Sequence, residues 1–268
     1  MTREALDAAA DALSAAGVED ARFDAEVMLA EATGWGRARL VAGAELPPAA
    51  ARSFAEMVRR RLRREPVAYI LGRKGFRGIE LAVDPRVLIP RPETELLVEL
   101  ALELAPRRML DVGTGSGAIA LAVATELPEC EVVATDASPA ALEVARANAE
   151  RLGLADRVVF HEGTLPPGGA KFDLVLANLP YVSEAEWPGL EPEVTEWEPR
   201  DALLAGPDGL DAVRNLLAAD PPGRCLALEV GKGQADMVKT LLSEAGFEEI
   251  EVRKDLAGIE RVVVGRRG

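Results

Sequence analysis

One glycine-rich stretch carries residue types whose spacing suits ligand binding. Residues 109–120 combine an apolar run, an acid (Asp111), glycines at alternate positions (Gly113, Gly115, Gly117) and small apolar residues at helical spacing. This pattern predicts a strand, a tight loop and a helix. Glycine leaves room for a ligand to approach the backbone, so N–H groups at a helix N-terminus can bind it. The alternative is a glycine turn in some other α/β sheet.

The spacing Gly-x-Gly-x-Gly differs from the Gly-x-Gly-x-x-Gly of dinucleotide sites. With Asp111 ahead of the first glycine, the stretch resembles the first motif of the S-adenosylmethionine (SAM) methyltransferases. Asp136 closes the next predicted strand, where a carboxylate accepts both hydroxyls of a ribose. The alternative is that Asp136 caps the following helix, although Ser138 is the better cap. Gly163 and Thr164 follow the third predicted strand, where the adenine edge of the cofactor would lie.

The fourth predicted strand ends in Asn178-Leu179-Pro180-Tyr181, the most informative tetrapeptide of the chain. An amide closes an apolar strand, a proline restricts the backbone, and an aromatic ring follows. The tetrapeptide resembles the Asn-Pro-Pro-Tyr signature of methyltransferases that modify planar nitrogens, with leucine at its second position. It also resembles the Asn-Leu-Pro-Tyr of ribosomal RNA adenine dimethyltransferases, so by itself it does not choose a substrate.

The tetrapeptide suggests a chemistry. The lone pair of an amide or exocyclic amine nitrogen is delocalised, so the nitrogen is a poor nucleophile. The Asn178 side-chain oxygen and the Leu179 carbonyl can each accept one N–H of an –NH₂ group and hold its nitrogen in line with a sulfonium methyl. The same acceptors favour the positive charge that develops on nitrogen in the transition state. Tyr181 would stack on the planar amide, and no titrating base is required.

Alternating strands and helices surround these residues. From residue 108 onwards the pattern predicts βα units, hence a mostly parallel sheet with helices on both faces, and a final strand pair with no helix between them adds one antiparallel strand. Residues 1–72 have helical apolar periodicity and predict a small bundle. Residues 73–92 contain glycine-punctuated short strands and predict a hairpin connector. Arg59–Arg64 form a basic patch, interpreted as a solvated face or a docking surface.

The composition restricts the class of partner. The formal net charge is −14 and aromatic residues make up 4% of the chain, so a long phosphate backbone or stacked bases would find few partners. Most of the excess acid lies after residue 72. No apolar run reaches the roughly 18–20 residues that span a bilayer, and residues 1–10 predict no secretory signal. The distant Cys130 and Cys225 favour reduced thiols in the cytoplasm, and no metal cluster is expected.

The resemblance extends along the whole chain to the protein-glutamine N5-methyltransferases (the PrmC/HemK family). It is carried by residues 87–95 (Val-Leu-Ile-Pro-Arg-Pro-Glu-Thr-Glu), 110–117, 178–181, 198–203 and 254–264. That family methylates the glutamine of the Gly-Gly-Gln motif in class I peptide-chain release factors. The resemblance implies SAM as cofactor, S-adenosylhomocysteine (SAH) as product and a release factor as partner, with no membrane and no stable nucleic acid. A cytoplasmic monomer is expected.

The resemblance also implies domain boundaries and roles for individual residues. Residues 1–72 would recognise the release factor, 73–92 would connect, and 93–268 would form a class I SAM-methyltransferase domain. Asn178, Leu179, Pro180 and Tyr181 would be catalytic and bind the glutamine amide. The implied cofactor-binding residues are Asp111, Gly113, Thr114, Gly115, Ser116, Gly117, Asp136, Gly163, Thr164 and Asn178.

Other substrates stay open. A glutamine of a ribosomal protein is the nearest alternative, and RNA adenine N6-methylation is a second class. A non-catalytic SAM-binding protein is a third. The leucine at position 179 makes the loop less rigid than a proline would and puts catalytic efficiency, but not the fold, in question.

Overall fold

The structure, a computed structural model, describes residues 2–268 and divides them into two units. One is helical and comprises residues 2–73 and 191–197. The other is an α/β unit of residues 74–190 and 198–268. The helices are α1 (Thr2–Ala15), α2 (Ala21–Thr33), α3 (Arg37–Val41), α4 (Pro48–Arg61), α5 (Val67–Leu71), α6 (Glu95–Leu104), α7 (Ala118–Glu126), α8 (Pro139–Arg151), α9 (Pro192–Thr195), α10 (Asp211–Ala218) and α11 (Ala235–Glu244). The strands are β1 (Arg73–Phe76), β2 (Ile79–Ala82), β3 (Arg108–Val112), β4 (Glu131–Asp136), β5 (Val158–Glu162), β6 (Phe172–Ala177), β7 (Gly223–Glu229), β8 (Glu248–Lys254) and β9 (Glu260–Arg266).

The α/β unit is built on a seven-stranded sheet of order β5-β4-β3-β6-β7-β9-β8. Strands β3 to β7 pair in parallel, and β9 runs antiparallel to both β7 and β8. The central strands are near-continuous apolar runs because both of their faces are covered. The predicted mostly parallel sheet with one antiparallel strand is therefore confirmed.

Helices cover the two faces of the sheet with two apolar cores. On one face α6 and α7 pack over the strands, and Ala118–Ala124 of α7 are all buried. On the other face α10 and α11 supply Val213, Leu216, Val238 and Leu242. The helix α7 is apolar all round because it lies between the sheet and its neighbouring helices.

The register of the sheet brings several strand ends to one edge. Val112 pairs with Thr135 on one side and with Ala177 on the other, and Ala177 pairs with Leu228. The residues that follow these positions therefore lie side by side at the carboxyl edge, which is where open α/β sheets bind ligands.

The hairpin β1–β2 forms its own small sheet and is attached to the α/β unit by a buried asparagine. The Asn148 side chain of α8 accepts a hydrogen bond from the Ala82 nitrogen (2.7 Å) and donates to the carbonyls of Ala82 (3.0 Å) and Ser116 (2.9 Å). The hairpin is shorter than the connector expected from the sequence, because residues 87–89 form a loop rather than a strand.

The helical unit has its own core, to which Leu6, Leu13, Met28, Leu29 and Phe54 contribute. The segment 66–72, expected only to end the bundle, includes the short helix α5, and Gly72 caps it in the left-handed region (φ 70°). Pro66 precedes the helix with an extended backbone, as is common at a helix start.

The helical unit also contains residues 191–197, which the sequence placed in the methyltransferase domain. Buried Arg61 pairs with Asp24 (2.7 Å) and Glu193 (2.6 Å), and Arg64 pairs with the second oxygen of Glu193 (2.6 Å). The predicted reading of the basic patch as a solvated or docking surface is therefore wrong for Arg61, since a distant acid neutralises it inside the unit.

Candidate active site

The glycine loop after β3 is held by hydrogen bonds to the end of β4. The nitrogens of Gly113 and Thr114 both donate to the Thr135 carbonyl (2.9 Å each), and the Gly115 nitrogen donates to the Asp136 carboxylate (2.9 Å). Gly113 and Gly117 have φ values of 74° and 85°, in the region that favours glycine. The loop is therefore a fixed turn at the carboxyl edge.

Asp111 braces this loop from beneath. It is fully buried, and one carboxylate oxygen accepts hydrogen bonds from the Thr114 hydroxyl (2.6 Å) and the Ala120 nitrogen (3.2 Å). Burial raises the pKa of Asp111 to about 7. The other oxygen has no partner among residues 2–268. Asp111 does not line the cavity described below, so direct contact with a cofactor stays a prediction for this residue.

Asp136 presents its carboxylate to the cavity. Its two oxygens accept from the Gly115 nitrogen and from the Ser138 nitrogen (2.8 Å). The cap of α8 is Ser138, whose hydroxyl accepts from the Ala141 nitrogen (3.2 Å). Since Ser138 takes the capping role, Asp136 keeps lone pairs for a ligand hydroxyl, and its predicted contact with ribose stays open.

A cavity of about 530 Å³ opens at this edge of the sheet, within the usual size of small-molecule sites. Its wall contains most of the residues that the sequence singled out, but not Asp111, Gly117 or Tyr181. The predicted residues on the wall are Gly113, Thr114, Gly115, Ser116, Asp136, Gly163, Thr164, Asn178, Leu179 and Pro180. Fixed backbone amides, a carboxylate and a largely apolar wall suit a nucleoside-bearing cofactor such as SAM.

Gly117 serves packing rather than the cavity wall. A Cβ atom on Gly117 would lie 2.8 Å from a methyl of Leu121, so the glycine allows α7 to start against its own first turn. Gly117 thus shapes the loop, and a direct cofactor contact from it stays a prediction.

Two further segments line the cavity. The sequence did not indicate their place there, although both lie in runs that carry the resemblance. One is the loop 86–91 and the other is residues 199–202. Buried Glu198 joins them, because its carboxylate accepts from the Ile89 nitrogen (3.1 Å) and pairs with Arg91. This pairing holds the loop 86–91 over the cavity.

Asn178 follows the last residue of β6, and its side-chain amide nitrogen is already engaged in a hydrogen bond within the protein. The Nδ2 atom donates to the Thr94 hydroxyl oxygen at 2.9 Å. No hydrogen bond to the Oδ1 atom is found among residues 2–268. Leu179 and Pro180 follow on the cavity wall. The site therefore offers an acceptor oxygen beside the cavity.

Tyr181 is placed differently from the rest of the tetrapeptide. Its hydroxyl donates to the Glu229 carboxylate (3.5 Å), and its backbone oxygen accepts from the Gln234 side chain (2.8 Å). Burial raises the pKa of Tyr181 to about 12, so the phenol stays neutral. The predicted stacking of this ring on a substrate amide stays a prediction.

Two buried polar residues were missed from the sequence. Thr94 and Glu229 are each 3% exposed; Thr94 lines the cavity and accepts a hydrogen bond from Asn178. Glu229 ends β7, so the rule that ligands gather at the carboxyl ends of strands was a usable signal for it. Thr94 lies in a 3₁₀ turn (Pro92–Thr94) and carried no signal beyond its place in the resembling run 87–95.

Two further properties concern the described residues as a whole. No helix within residues 2–268 has the length and apolarity needed to cross a bilayer. In the same range no cluster of three or more His, Cys, Asp or Glu side chains could hold a metal ion.

Family models match both units. The PrmC N-terminal domain matches residues 4–72, and the Methyltransferase small domain matches residues 92–189. Curated relatives align over nearly the whole chain. The release factor glutamine methyltransferase of Geobacter sulfurreducens is 44% identical, covering 99% of this chain and 96% of that protein. The protein of the same name from Moorella thermoacetica is 45% identical, with coverage of 99% and 98%.

Solved structures share the fold of the α/β unit. The hMettl16 catalytic domain, in complex with a MAT2A 3′UTR hairpin, has a TM-score of 0.56 and 17% identity, covering 69% of this chain and 75% of that one. The human methyltransferase 10 domain containing protein has a TM-score of 0.52 and 18% identity, covering 70% and 88%. At such low identity the likeness concerns the fold alone.

Proposed function

The chain belongs to the release factor glutamine methyltransferase family, and we propose that it methylates the side-chain nitrogen N5 of the glutamine in the Gly-Gly-Gln motif of class I release factors. It is a SAM-dependent methyltransferase. The observation that supports this substrate most is the Asn178 carboxamide. Its nitrogen is hydrogen-bonded to Thr94, and its oxygen is left to bind a ligand beside the cavity.

An acceptor pair suits a carboxamide substrate. The Asn178 Oδ1 atom takes one N–H of the glutamine amide, and the Leu179 carbonyl takes the other. Two acceptors hold the nitrogen in one orientation and stabilise the positive charge that develops on it. An acceptor pair of this kind also rejects a glutamate side chain, which has no N–H and, being ionised at neutral pH, no proton to donate.

Bound SAM supplies a methyl carbon on a sulfonium sulfur: the carbon–nitrogen bond forms as the carbon–sulfur bond breaks, SAH leaves, and the amide gives one proton to water. The loop 113–116 and Asp136 hold the cofactor in this proposal. Gly163 and Thr164, which also line the cavity, are proposed to contact its adenine. No residue has to act as a strong base, because methyl transfer would leave a positive charge on the amide nitrogen, and that cation loses its extra proton readily to solvent.

The helical unit is proposed to grip the release factor, and the enzyme to work as a cytoplasmic monomer without stable nucleic acid. The net charge of −14 and the aromatic content of 4% support the last point. The match of residues 4–72 to a domain model of the same family supports a role for the helical unit that is shared among relatives.

The experiment that tests the substrate uses radiolabelled SAM and separate acceptors: a class I release factor, the same factor with the motif glutamine changed to alanine, ribosomal proteins, and ribosomal RNA. Label in the unaltered release factor alone, located on the glutamine by mass spectrometry, is the expected result. Label in a ribosomal protein or in RNA, with none in the release factor, would replace this substrate by the corresponding alternative.

A further inference from the structure

Three polar side chains from separate elements meet at the cavity, where Thr94 and Asn178 are part of the wall. Asn178 follows β6, Glu229 ends β7, and Thr94 lies in the turn before α6. The pairing of Ala177 with Leu228 sets Asn178 and Glu229 beside each other at the strand ends. Thr94 and Glu229 are almost fully buried, so water does not satisfy their hydrogen bonds and each must find partners within the protein.

The hydrogen bonds within this cluster have only one consistent direction when Glu229 is ionised. A carboxylate accepts and never donates, and the Thr94 hydroxyl, which is close enough to Glu229 to lower the pKa of its carboxyl group, has a single proton to give. That proton is directed to Glu229, so the Thr94 oxygen must accept its other bond. It accepts from the Asn178 nitrogen at 2.9 Å.

We propose that Thr94 and Glu229 are positioning residues, which orient the Asn178 carboxamide so that its oxygen, not its nitrogen, meets the substrate. The proposal rests on the proposed function, in which the substrate is an –NH₂ group. The opposite orientation would set the Asn178 NH₂ against the substrate NH₂, and two donors facing each other form no hydrogen bond. A side chain such as Asn178 has no orientation of its own, because oxygen and nitrogen are nearly the same size.

The surroundings of Glu229 support a role beyond packing. One carboxylate oxygen receives the Tyr181 hydroxyl (3.5 Å), and the other has no partner among residues 2–268. Leaving a buried carboxylate oxygen unpaired costs stability, so natural proteins keep such groups mainly at functional sites. An apolar side chain at position 229 would avoid that cost.

Glu229 also makes the orientation depend on pH. The pKa of Glu229 is raised to about 7: burial and nearby Glu93 raise it, while Thr94, Arg261 and the Tyr181 hydroxyl, which stays neutral, lower it. The protonated carboxyl group can donate to the Thr94 oxygen. The Thr94 proton is then free to bond to the Asn178 oxygen, which stabilises the opposite orientation. Turnover should therefore rise as the pH increases through about 7.

The test compares Thr94→Val, which removes the hydroxyl and keeps the shape, with Thr94→Ser, which keeps the hydroxyl. We expect Thr94→Val to lower kcat on the release factor by roughly 10- to 100-fold, which is about 1.4–2.7 kcal/mol. KM and the Kd of SAH should stay within about twofold. Thr94→Ser should restore most of kcat. Full activity of Thr94→Val, or equal losses in both variants, would overturn the proposal.

A second measurement needs no substrate. In ¹⁵N-asparagine-labelled protein with SAH, the Asn178 side-chain amide protons should exchange slowly with solvent, faster in Thr94→Val and slowly again in Thr94→Ser. Unchanged exchange in Thr94→Val would refute the proposal that Thr94 holds the Asn178 carboxamide in place. If the enzyme fails to methylate the release factor while this pattern holds, the proposed substrate is wrong and the orientation stands.

Glu229→Gln provides a variant independent of Thr94. Because a glutamine does not titrate, its kcat should not vary with pH between about 6 and 8, whereas kcat of the unaltered enzyme should fall on the acidic side. Matching pH profiles for the two enzymes would argue against Glu229 as the group that determines the orientation of the Asn178 carboxamide.

Discussion

Gly113 and Leu179 join the glycine loop to the tetrapeptide 178–181: a Cβ atom on Gly113 would lie 3.3 Å from the Leu179 side chain. Gly113 also has a φ of 74°, which an alanine adopts at a cost of about 1–2 kcal/mol. Both effects oppose any larger side chain at this position. The close approach means that a change in the loop is transmitted to the residues proposed to bind the substrate.

Gly113→Ala should therefore raise the Kd of SAH by about tenfold and lower kcat/KM as well, since the strained loop and the displaced Leu179 both disturb the cavity. Isothermal titration calorimetry measures the first effect. Gly36→Ala is the matched control, because Gly36 has a φ of −66° and no atom within 4 Å of an added Cβ. An unchanged Kd in Gly113→Ala would mean that the close approach of Gly113 to Leu179 does not affect SAH binding.

Glu193→Ala should destabilise the helical unit by about 3 kcal/mol, because it leaves Arg61 buried with one of its two carboxylate partners removed. Faster hydrogen–deuterium exchange in α4 would report the loss. Glu56→Ala removes an exposed partner of Arg59 and should cost less than about 1 kcal/mol. Equal effects of the two substitutions would show that the buried pair carries no special weight.

Asp111→Asn should alter how stability depends on pH. The pKa of Asp111 is raised by burial to about 7 in the folded protein, from its ordinary value of 3.8. Between these values the folded state holds a proton that the unfolded chain has lost, so the free energy of unfolding falls as the pH rises. The Asp111→Asn variant has no titrating group at this position, so its free energy of unfolding does not show this decrease.

Relative to the unaltered protein, Asp111→Asn should gain stability on going from pH 5 to pH 8, as urea denaturation without ligand would measure. A constant difference between the two proteins across this range would contradict a buried Asp111 that is proton-linked to folding.

The sequence predicted the sheet, the glycine loop and Asn178 because each has a local signature: alternating elements, alternate glycines, and an amide at the end of an apolar strand. It missed Thr94 and Glu229 as partners of Asn178, since their meeting depends on strand order and on which turn packs behind β6. Arg61 was misread for the same reason. Its neighbours in sequence are basic, and the acid that neutralises it, Glu193, lies far along the chain.

The most direct test of the account is Asn178→Ala, assayed for methyl transfer to the release factor glutamine and, in parallel, for SAH binding. Losing one of two acceptors, and with it the orientation of the amide, should lower kcat by at least about 100-fold. The Kd of SAH should change by less than about threefold, because the loop 113–116 and Asp136 remain. Turnover near that of the unaltered enzyme would contradict the central claim that Asn178 holds the substrate nitrogen.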